Sequence, residues 1–445
     1  MARQNAIRKV KPCPHLEGEI SLPGDKSISH RAVILNSLAQ GKAEISNFAP
    51  GKDCSDTVSC LRALGVQIRK KNSGVSPTLV VSGTGGDGLK EARGILNAGN
   101  SGTTARLLGG LLSSQPFMSV ITGDASLRSR PMRRLIEPLR LMGAEIWGRG
   151  DDSFAPLAIK GRKLHGVDFS LPVASAQIKS AILLAGLFAQ GDTVLHQPVA
   201  SRDHTERLLK QMGAKLEGSG SRICLSPLTK PLAPIDFCLP GDISSAAYFL
   251  VAGTIHPNAK ITLRNCGINP TRTGIIDVLR AMGAKLKIEN ERLEADELLA
   301  DIVVESSELK GIELGGDIIP RLIDEISVLA VAGCIARGKT VIRGAGELRV
   351  KESDRIANVV KELSKLGAEV EELPDGMIIH GGALLSGAEV DSHLDHRLAM
   401  SLAVAALAAK GETTINQAHV AQISYPSFWQ DLELLSCKEK RLHHT

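Results

Sequence analysis

The sequence predicts an α/β protein in two halves, each of three repeated modules whose helices are buried beneath sheet. Three observations carry this. First, a phrase running from helix through Gly into strand occurs five times: LRALGVQI at Leu61, LRLMGAEI at Leu139, LKQMGAKL at Leu209, LRAMGAKL at Leu279 and LSKLGAEV at Leu363. Second, six polar helix starts interleave with these phrases, each heading a run rich in Ala, Leu, Ile or Val. Third, LPGDKS at Leu22 returns as LPGDIS at Leu239, 217 residues later.

The glycines of the first series, Gly65, Gly143, Gly213, Gly283 and Gly367, lie 70 to 84 residues apart. Each suits the left-handed position that ends a helix, and the alternating residues beyond it suit a strand. A period this long exceeds solenoid units and fits a compact supersecondary module. The second series comprises Asp25-Lys26-Ser27, Asn100-Ser101-Gly102, Ser175-Ala176-Gln177, Asp242-Ile243-Ser244, Asp324-Glu325 and Asp395-His396-Arg397. These are cap residues ahead of helices that are apolar all round, so six core helices are expected. The repeated LPGD divides the chain into residues 22–240 and residues 1–21 with 241–445, with crossovers near 22 and 240.

Composition sets the frame for these elements. Hydrophobic residues make up 43% and charged residues 23%, ordinary for a soluble enzyme, whereas aromatics are only 3%. The core must therefore be aliphatic. A net charge of +5 suits small acidic ligands and does not demand nucleic acid. Eight cysteines without a CxxC pair read as reduced thiols, and the N-terminal MARQNAIRKVKPCPH lacks the apolar run of a secretory signal. The longest apolar runs, near Ser180–Ala189 and Leu398–Ala409, fall short of the roughly 20 residues that span a bilayer. A cytoplasmic monomer with no membrane association is expected.

The chemistry concentrates at the helix starts. In LPGDKSISHRA a Pro-Gly turn loads the first turn of a helix with Asp25, Lys26, Ser27, His30 and Arg31, where exposed backbone N–H groups and the helix dipole favour an anion. Arg106, Lys179 and Arg397 stand similarly near other core-helix starts. If the helices of each half run alike, these cations gather at one end and face an anionic ligand; the alternative is that each snorkels to solvent. SLRSRPMRR adds Arg128, Arg130, Arg133 and Arg134, suited to forked contacts with phosphate or carboxylate or, equally, a solvated helix face. RVKESDR adds Lys351, Glu352 and Arg355, and ASRDHTE adds Ser201, Arg202 and His204. Asp324, in the otherwise apolar IPRLIDEISVLA, is either a helix cap or a general base. DSHLDH resembles a metal cluster only by composition, and GxxxxGK[ST] is absent, so no metal and no cofactor is expected.

At these residues the chain resembles the 5-enolpyruvylshikimate-3-phosphate synthase family. The resemblance covers essentially the whole length and rests on LPGDKSISHRA, NAGNSGTTARLL, SLRSRPM, SAQIKSAILLAG, SRDHTE, IDEISVLA, RVKESDR, DHRLAM and SYPSF in that order. It implies the two-domain enolpyruvyl transferase fold, α/β, each domain with three βαβαββ modules of buried parallel helices covered by sheets about a pseudo-threefold axis. It also implies the substrates. Shikimate 3-phosphate would be held by Lys26, Ser27, Arg31, Ser175, Ala176, Gln177, Ser201, Arg202, Asp324 and Lys351, and phosphoenolpyruvate by Lys26, Asn100, Gly102, Arg130, Gln177, Arg355 and Arg397.

The implied reaction is attack of the 5-hydroxyl on C2 of phosphoenolpyruvate with protonation of C3, then loss of phosphate from a tetrahedral intermediate. Asp324 is expected to take the hydroxyl proton, and Glu352, or Lys26 crowded by other cations, to protonate C3. One departure is Ile423, where some family members carry a Lys two residues before the aromatic-Pro pair. Two other readings exist. A UDP-N-acetylglucosamine enolpyruvyl transferase usually carries a Cys before the Arg-Pro pair, and GDASLRSRP has none. A polyanion- or nucleic-acid-binding repeat protein would interleave aromatics with exposed basic tracts.

Overall fold

The computed structural model describes residues 6–71, 77–86 and 88–436. The chain forms two compact units. One comprises Gly24–Leu239 with the short segment Leu293–Glu297; the other contains the rest, with Pro23 and Pro240 at its edges.

In the unit built on Gly24–Leu239, three four-stranded sheets share one strand order. Each has a short edge strand parallel to its neighbour, followed by two antiparallel pairings. The second module runs Leu96–Asn97, helix Gly102–Ser113, Met118–Thr122, helix Arg133–Leu141, Glu145–Arg149 and Phe154–Lys160, a βαβαββ path with one extra short helix. The first module takes its edge strand, Phe237–Cys238, from the far end of the unit. Helices Lys26–Leu38, Gly102–Ser113 and Ala176–Gly186 are buried along almost their whole length in a single core of Leu, Ile, Val and Ala.

The other unit repeats the scheme with core helices Ile243–Ile255, Ile326–Ile335 and His396–Leu407. Leu16–Ser21 supplies the edge strand of its first sheet, parallel to Ala259–Gly267. The sixth module is completed differently. Its sheet has three strands among the described residues, with Ile7–Val10 from the start of the chain antiparallel to Thr413–Asn416. Beyond that strand the chain turns into helix Phe428–Ser436, whose Phe428 joins Tyr248, Phe249 and Tyr425 in a cluster of edge-on and tilted rings. The scarce aromatics thus close one end of this core, and SYPSF is a packing motif.

The caps follow the sequence pattern with one exception. Asp25, Ser101, Ser175, Asp242 and Asp395 each accept a backbone N–H in the first turn of their helix. The fifth core helix, Ile326–Ile335, has Glu325 and not Asp324 at its cap position, and Glu325 makes no side-chain cap. The buried Glu325 carboxylate accepts instead from the Ser244 hydroxyl and lies 3.8 Å from Arg272. All five glycines of the Leu-Gly series have φ between 90° and 103°, the left-handed region where Gly avoids a Cβ clash. The two Pro-Gly turns lie side by side, the Asp242 amide donating to the Pro23 carbonyl at 2.9 Å. A Cβ on Gly24 would sit 1.7 Å from the Asn47 carbonyl oxygen, so backbone approach explains that Gly. Seven of the eight cysteines fall among the described residues and are free thiols; Cys437 lies outside them.

Candidate active site

In the unit built on Gly24–Leu239, the three core helices present polar side chains at their N-terminal ends. Lys26 is the first residue of its helix, and its Nζ lies 3.0 Å from Asp53 Oδ2. The crowding of Lys26 by cations expected from the sequence therefore includes an acidic partner. One turn on, Arg31 is 3% exposed and its guanidinium is fully directed: Nε donates to Thr205 Oγ1 at 2.7 Å, Nη1 to the Ser27 carbonyl at 2.9 Å and Nη2 to Ser180 Oγ at 2.9 Å. Arg202 Nη1 donates to Ser27 Oγ at 3.3 Å, so Ser27 links two of the cations expected to hold shikimate 3-phosphate. Ser175 caps the helix that begins at Ala176, and Ser201 Oγ donates to Gln197 Oε1 at 2.8 Å.

A second chain of contacts runs through Gln177. Its Oε1 accepts from Arg106 Nη1 at 2.6 Å and its Nε2 donates to Thr103 Oγ1 at 2.9 Å. Arg130 Nη2 donates to Asn100 Oδ1 at 2.5 Å, and Asn100 Nδ2 donates to Asp124 Oδ2 at 2.7 Å. Between these guanidiniums lies Gly102, where a Cβ would stand 2.5 Å from Arg106 Nη1 and 3.4 Å from Arg130 Nη1. Arg106 and Arg130 thus meet over the N-terminus of helix Gly102–Ser113, a place where backbone N–H groups already favour an anion.

The second unit holds the acids. Arg355, 1% exposed, is the hub: Nε donates to Asp395 Oδ2 at 2.7 Å, Nη2 pairs closely with Glu352, and Nη1 lies 3.5 Å from Asp324 Oδ1. Arg397 Nη2 is 3.6 Å from Asp324 Oδ2, so Asp324 stands between two guanidiniums at distances longer than a tight charge-assisted bond. Burial alone would lower the pKa of both arginines, but the surrounding carboxylates raise it above the ordinary value, and both remain charged. Burial likewise pushes the Tyr248 phenol up, against the pull of Arg397 and Arg355. Lys351 follows the short helix Gly346–Val350 and is half-buried beside Glu352.

Several residues singled out by the sequence do other work. Lys179 is wholly buried, 2.6 Å from Glu206 and 3.2 Å from the Ser201 carbonyl: an internal ion pair. Arg133 turns outward to Asp151. His393 binds Glu362. His30 is buried against Thr57 Oγ1 at 2.7 Å, and burial together with the nearby Lys26 and Arg31 holds its pKa well below the usual 6.5. An imidazole kept neutral in the fold cannot take the proton that the unfolded chain binds below 6.5, so stability falls as pH drops through and below that value. Urea titrations at pH about 7.5 and about 5.5 should show this loss, with His30→Asn removing about 1.4 kcal/mol of it. An unchanged pH dependence in the variant would place the titration elsewhere. No local pattern marks Asp53, Thr205 and Asp395 as partners of Lys26, Arg31 and Arg355, since each lies 27 or more residues from the group it serves.

Residues 10–432 match the family model described as EPSP synthase (3-phosphoshikimate 1-carboxyvinyltransferase). The chain belongs to the EPSP synthase family. Its relatives include proteins named 3-phosphoshikimate 1-carboxyvinyltransferase from Herpetosiphon aurantiacus, 53% identical over 95% of this chain and 97% of that one, and from Bacillus cereus, 51% identical over 96% and 99%. An EPSP synthase structure from Acinetobacter baumannii superposes with a TM-score of 0.85 at 42% identity, covering 96% of this chain and 98% of that one. The enolpyruvyl transferase NikO from Streptomyces tendae, at 20% identity and a TM-score of 0.78, shares the fold. Membership of the EPSP synthase family makes the chain a transferase with the two-domain enolpyruvyl transferase architecture. No helix among the described residues is long and apolar enough to cross a membrane.

Proposed function

We propose that this chain transfers the enolpyruvyl group of phosphoenolpyruvate to the 5-hydroxyl of shikimate 3-phosphate and releases phosphate, using Lys26, Asp324 and Glu352 as its proton-handling groups. The observation that carries the assignment of roles is the seating of Asp324 between Arg355 and Arg397, a carboxylate placed among cations that suit a polyanion. The enzyme acts in the shikimate route to aromatic amino acids, as a cytoplasmic monomer.

Asp324 takes the proton of the 5-hydroxyl as its oxygen bonds to C2, while Glu352 or Lys26 delivers a proton to C3, which becomes a methyl group. The resulting tetrahedral intermediate then breaks its C2–O bond to phosphate, and a methyl proton returns to the protein as the double bond re-forms. Lys26, Asn100, Gly102, Arg130, Gln177, Arg355 and Arg397 hold phosphoenolpyruvate; Lys26, Ser27, Arg31, Ser175, Ala176, Gln177, Ser201, Arg202, Asp324 and Lys351 hold shikimate 3-phosphate. Positioning two reactants in this way supplies about 7–11 kcal/mol of barrier reduction. The chain is read as two domains, residues 22–240 and residues 1–21 with 241–445, with crossovers near 22 and 240.

Phosphate release from phosphoenolpyruvate, measured with shikimate 3-phosphate and in parallel with UDP-N-acetylglucosamine, tests the reaction. Turnover is expected only with shikimate 3-phosphate, and turnover confined to the sugar nucleotide overturns the assignment. Gly102→Ala tests the ligand placement. Arg106 is tied to Gln177 and to the Pro131 carbonyl, so the new methyl group must push its guanidinium out of place. Gln177, assigned to phosphoenolpyruvate, then loses the charge-assisted bond from Arg106 that orients it, and KM for phosphoenolpyruvate rises roughly tenfold. A smaller change is expected for shikimate 3-phosphate, and steady-state kinetics read both.

A further inference from the structure

The segment from Asp391 to Asp395 joins a strand to the core helix that carries Arg397, and its backbone is held in a sparsely populated conformation. His393 and Leu394 are successive non-glycine residues with φ of 50° and 58°. Two such residues persist only where their surroundings over-determine them. Leu394 contributes little to that hold, being 58% exposed.

The hold comes from helix Arg355–Lys365, at two points seven residues apart and so on one face. At its start, Arg355 Nε donates to Asp395 Oδ2 at 2.7 Å. Two turns later stands Glu362, completely buried although ionisable. Glu362 Oε2 accepts from the Asp391 backbone N–H at 2.9 Å and Oε1 bonds His393 Nε2 at 2.8 Å, while Lys365 Nζ approaches both oxygens at 2.8 and 2.9 Å. Asp391 in turn accepts the His393 N–H at 2.6 Å, and its carboxylate is met by Gln417 Nε2 at 3.1 Å. Burial pushes the Glu362 carboxyl up, but Lys365, the Asp391 amide and His393 together hold it below its ordinary range, so the clasp is ionic. The far end of the segment, Asp395, is completely buried, fixes Arg355 and accepts the Arg397 N–H at 2.8 Å.

We propose that Glu362 is a positioning residue for the anion-binding arginines: by clasping Asp391 and His393 it holds residues 391–395 in their left-handed path, and so sets Asp395, Arg355 and Arg397. Glu362 touches no substrate. The inference rests on the reading that Arg355 and Arg397 take phosphoenolpyruvate.

Glu362→Gln keeps the shape and one acceptor but loses the charge shared by His393 and Lys365. KM for phosphoenolpyruvate is expected to rise roughly tenfold, with KM for shikimate 3-phosphate changed by less than about twofold. His393→Gln, which spares the other bonds of Glu362, should act in the same direction by less. Adding Leu394→Gly to Glu362→Gln removes part of the backbone penalty and should recover most of the lost affinity, a rescue that a general loss of stability would not show. Equal rises in both KM values, or no recovery on adding the glycine, overturn the proposal. Arg355→Lys separates the two claims: if it leaves KM for phosphoenolpyruvate unchanged, the ligand reading fails. Positioning is then decided by the crystal structure of Glu362→Gln, where Asp395 displaced from Arg355 supports it and an unmoved 391–395 segment overturns it.

Discussion

Lys26→Met lowers kcat by about a hundred- to ten-thousand-fold, the range general acid–base groups supply, and leaves the thermal midpoint within a few degrees of the parent. Methionine keeps most of the stem of Lys26 and loses the ammonium. The structural loss includes the 3.0 Å ion pair with Asp53, in which both side chains retain some exposure. The catalytic loss is larger because Lys26 is assigned to both substrates and to a proton transfer. Single-turnover measurements alongside a thermal melt check the split. A variant with near-normal kcat would mean that Lys26 serves only to begin its helix.

Arg355→Ala has the largest expected effect on stability. It leaves the completely buried Asp395 without its guanidinium partner and removes a close cation from Glu352 and Asp324. Removing one partner of a buried ion pair costs about 3–5 kcal/mol, which for a unit of this size corresponds to a fall of about 6–20 °C in Tm. Asp395 also caps helix His396–Leu407, so the damage extends to a core element. Arg355→Lys keeps the charge but not the fork and should lie between the parent and the alanine variant. Differential scanning calorimetry of the three proteins orders them; equal melting points would show that the three carboxylates do not depend on Arg355.

Much of the fold is legible because local rules and the global arrangement agree. A Gly that ends a helix must adopt positive φ wherever the helix packs, and all five predicted positions do so. A helix apolar on every side must be buried, and six are. The site is legible by residue type more than by contact. The cations at LPGDKSISHRA and RVKESDR stand at helix starts as their sequence suggests, yet nothing local says that Arg31 will bind Thr205, 174 residues away, or that Arg355 will bind Asp395. Lys179 shows the limit of the rule. It lies in the first turn of a core helix like the others, but Glu206 comes within 2.6 Å and turns it into an internal pair. Asp324 and Glu325 are adjacent and chemically alike, and only packing decides that Glu325 faces Ser244 and Arg272 while Asp324 faces Arg355 and Arg397.

By itself the sequence determined the repeat, the helix caps, the aliphatic core and the concentration of cations at helix starts, since each depends on spacing and residue type within a few turns. Tertiary structure alone decided how the sixth module closes, with a strand drawn from Ile7–Val10, and which carboxylate meets which guanidinium. It also decided that a buried Glu362 would clasp the segment ahead of Asp395. These are contacts between residues far apart in the chain, and their energies depend on desolvation and distance, which take values only once the backbone has brought the groups together.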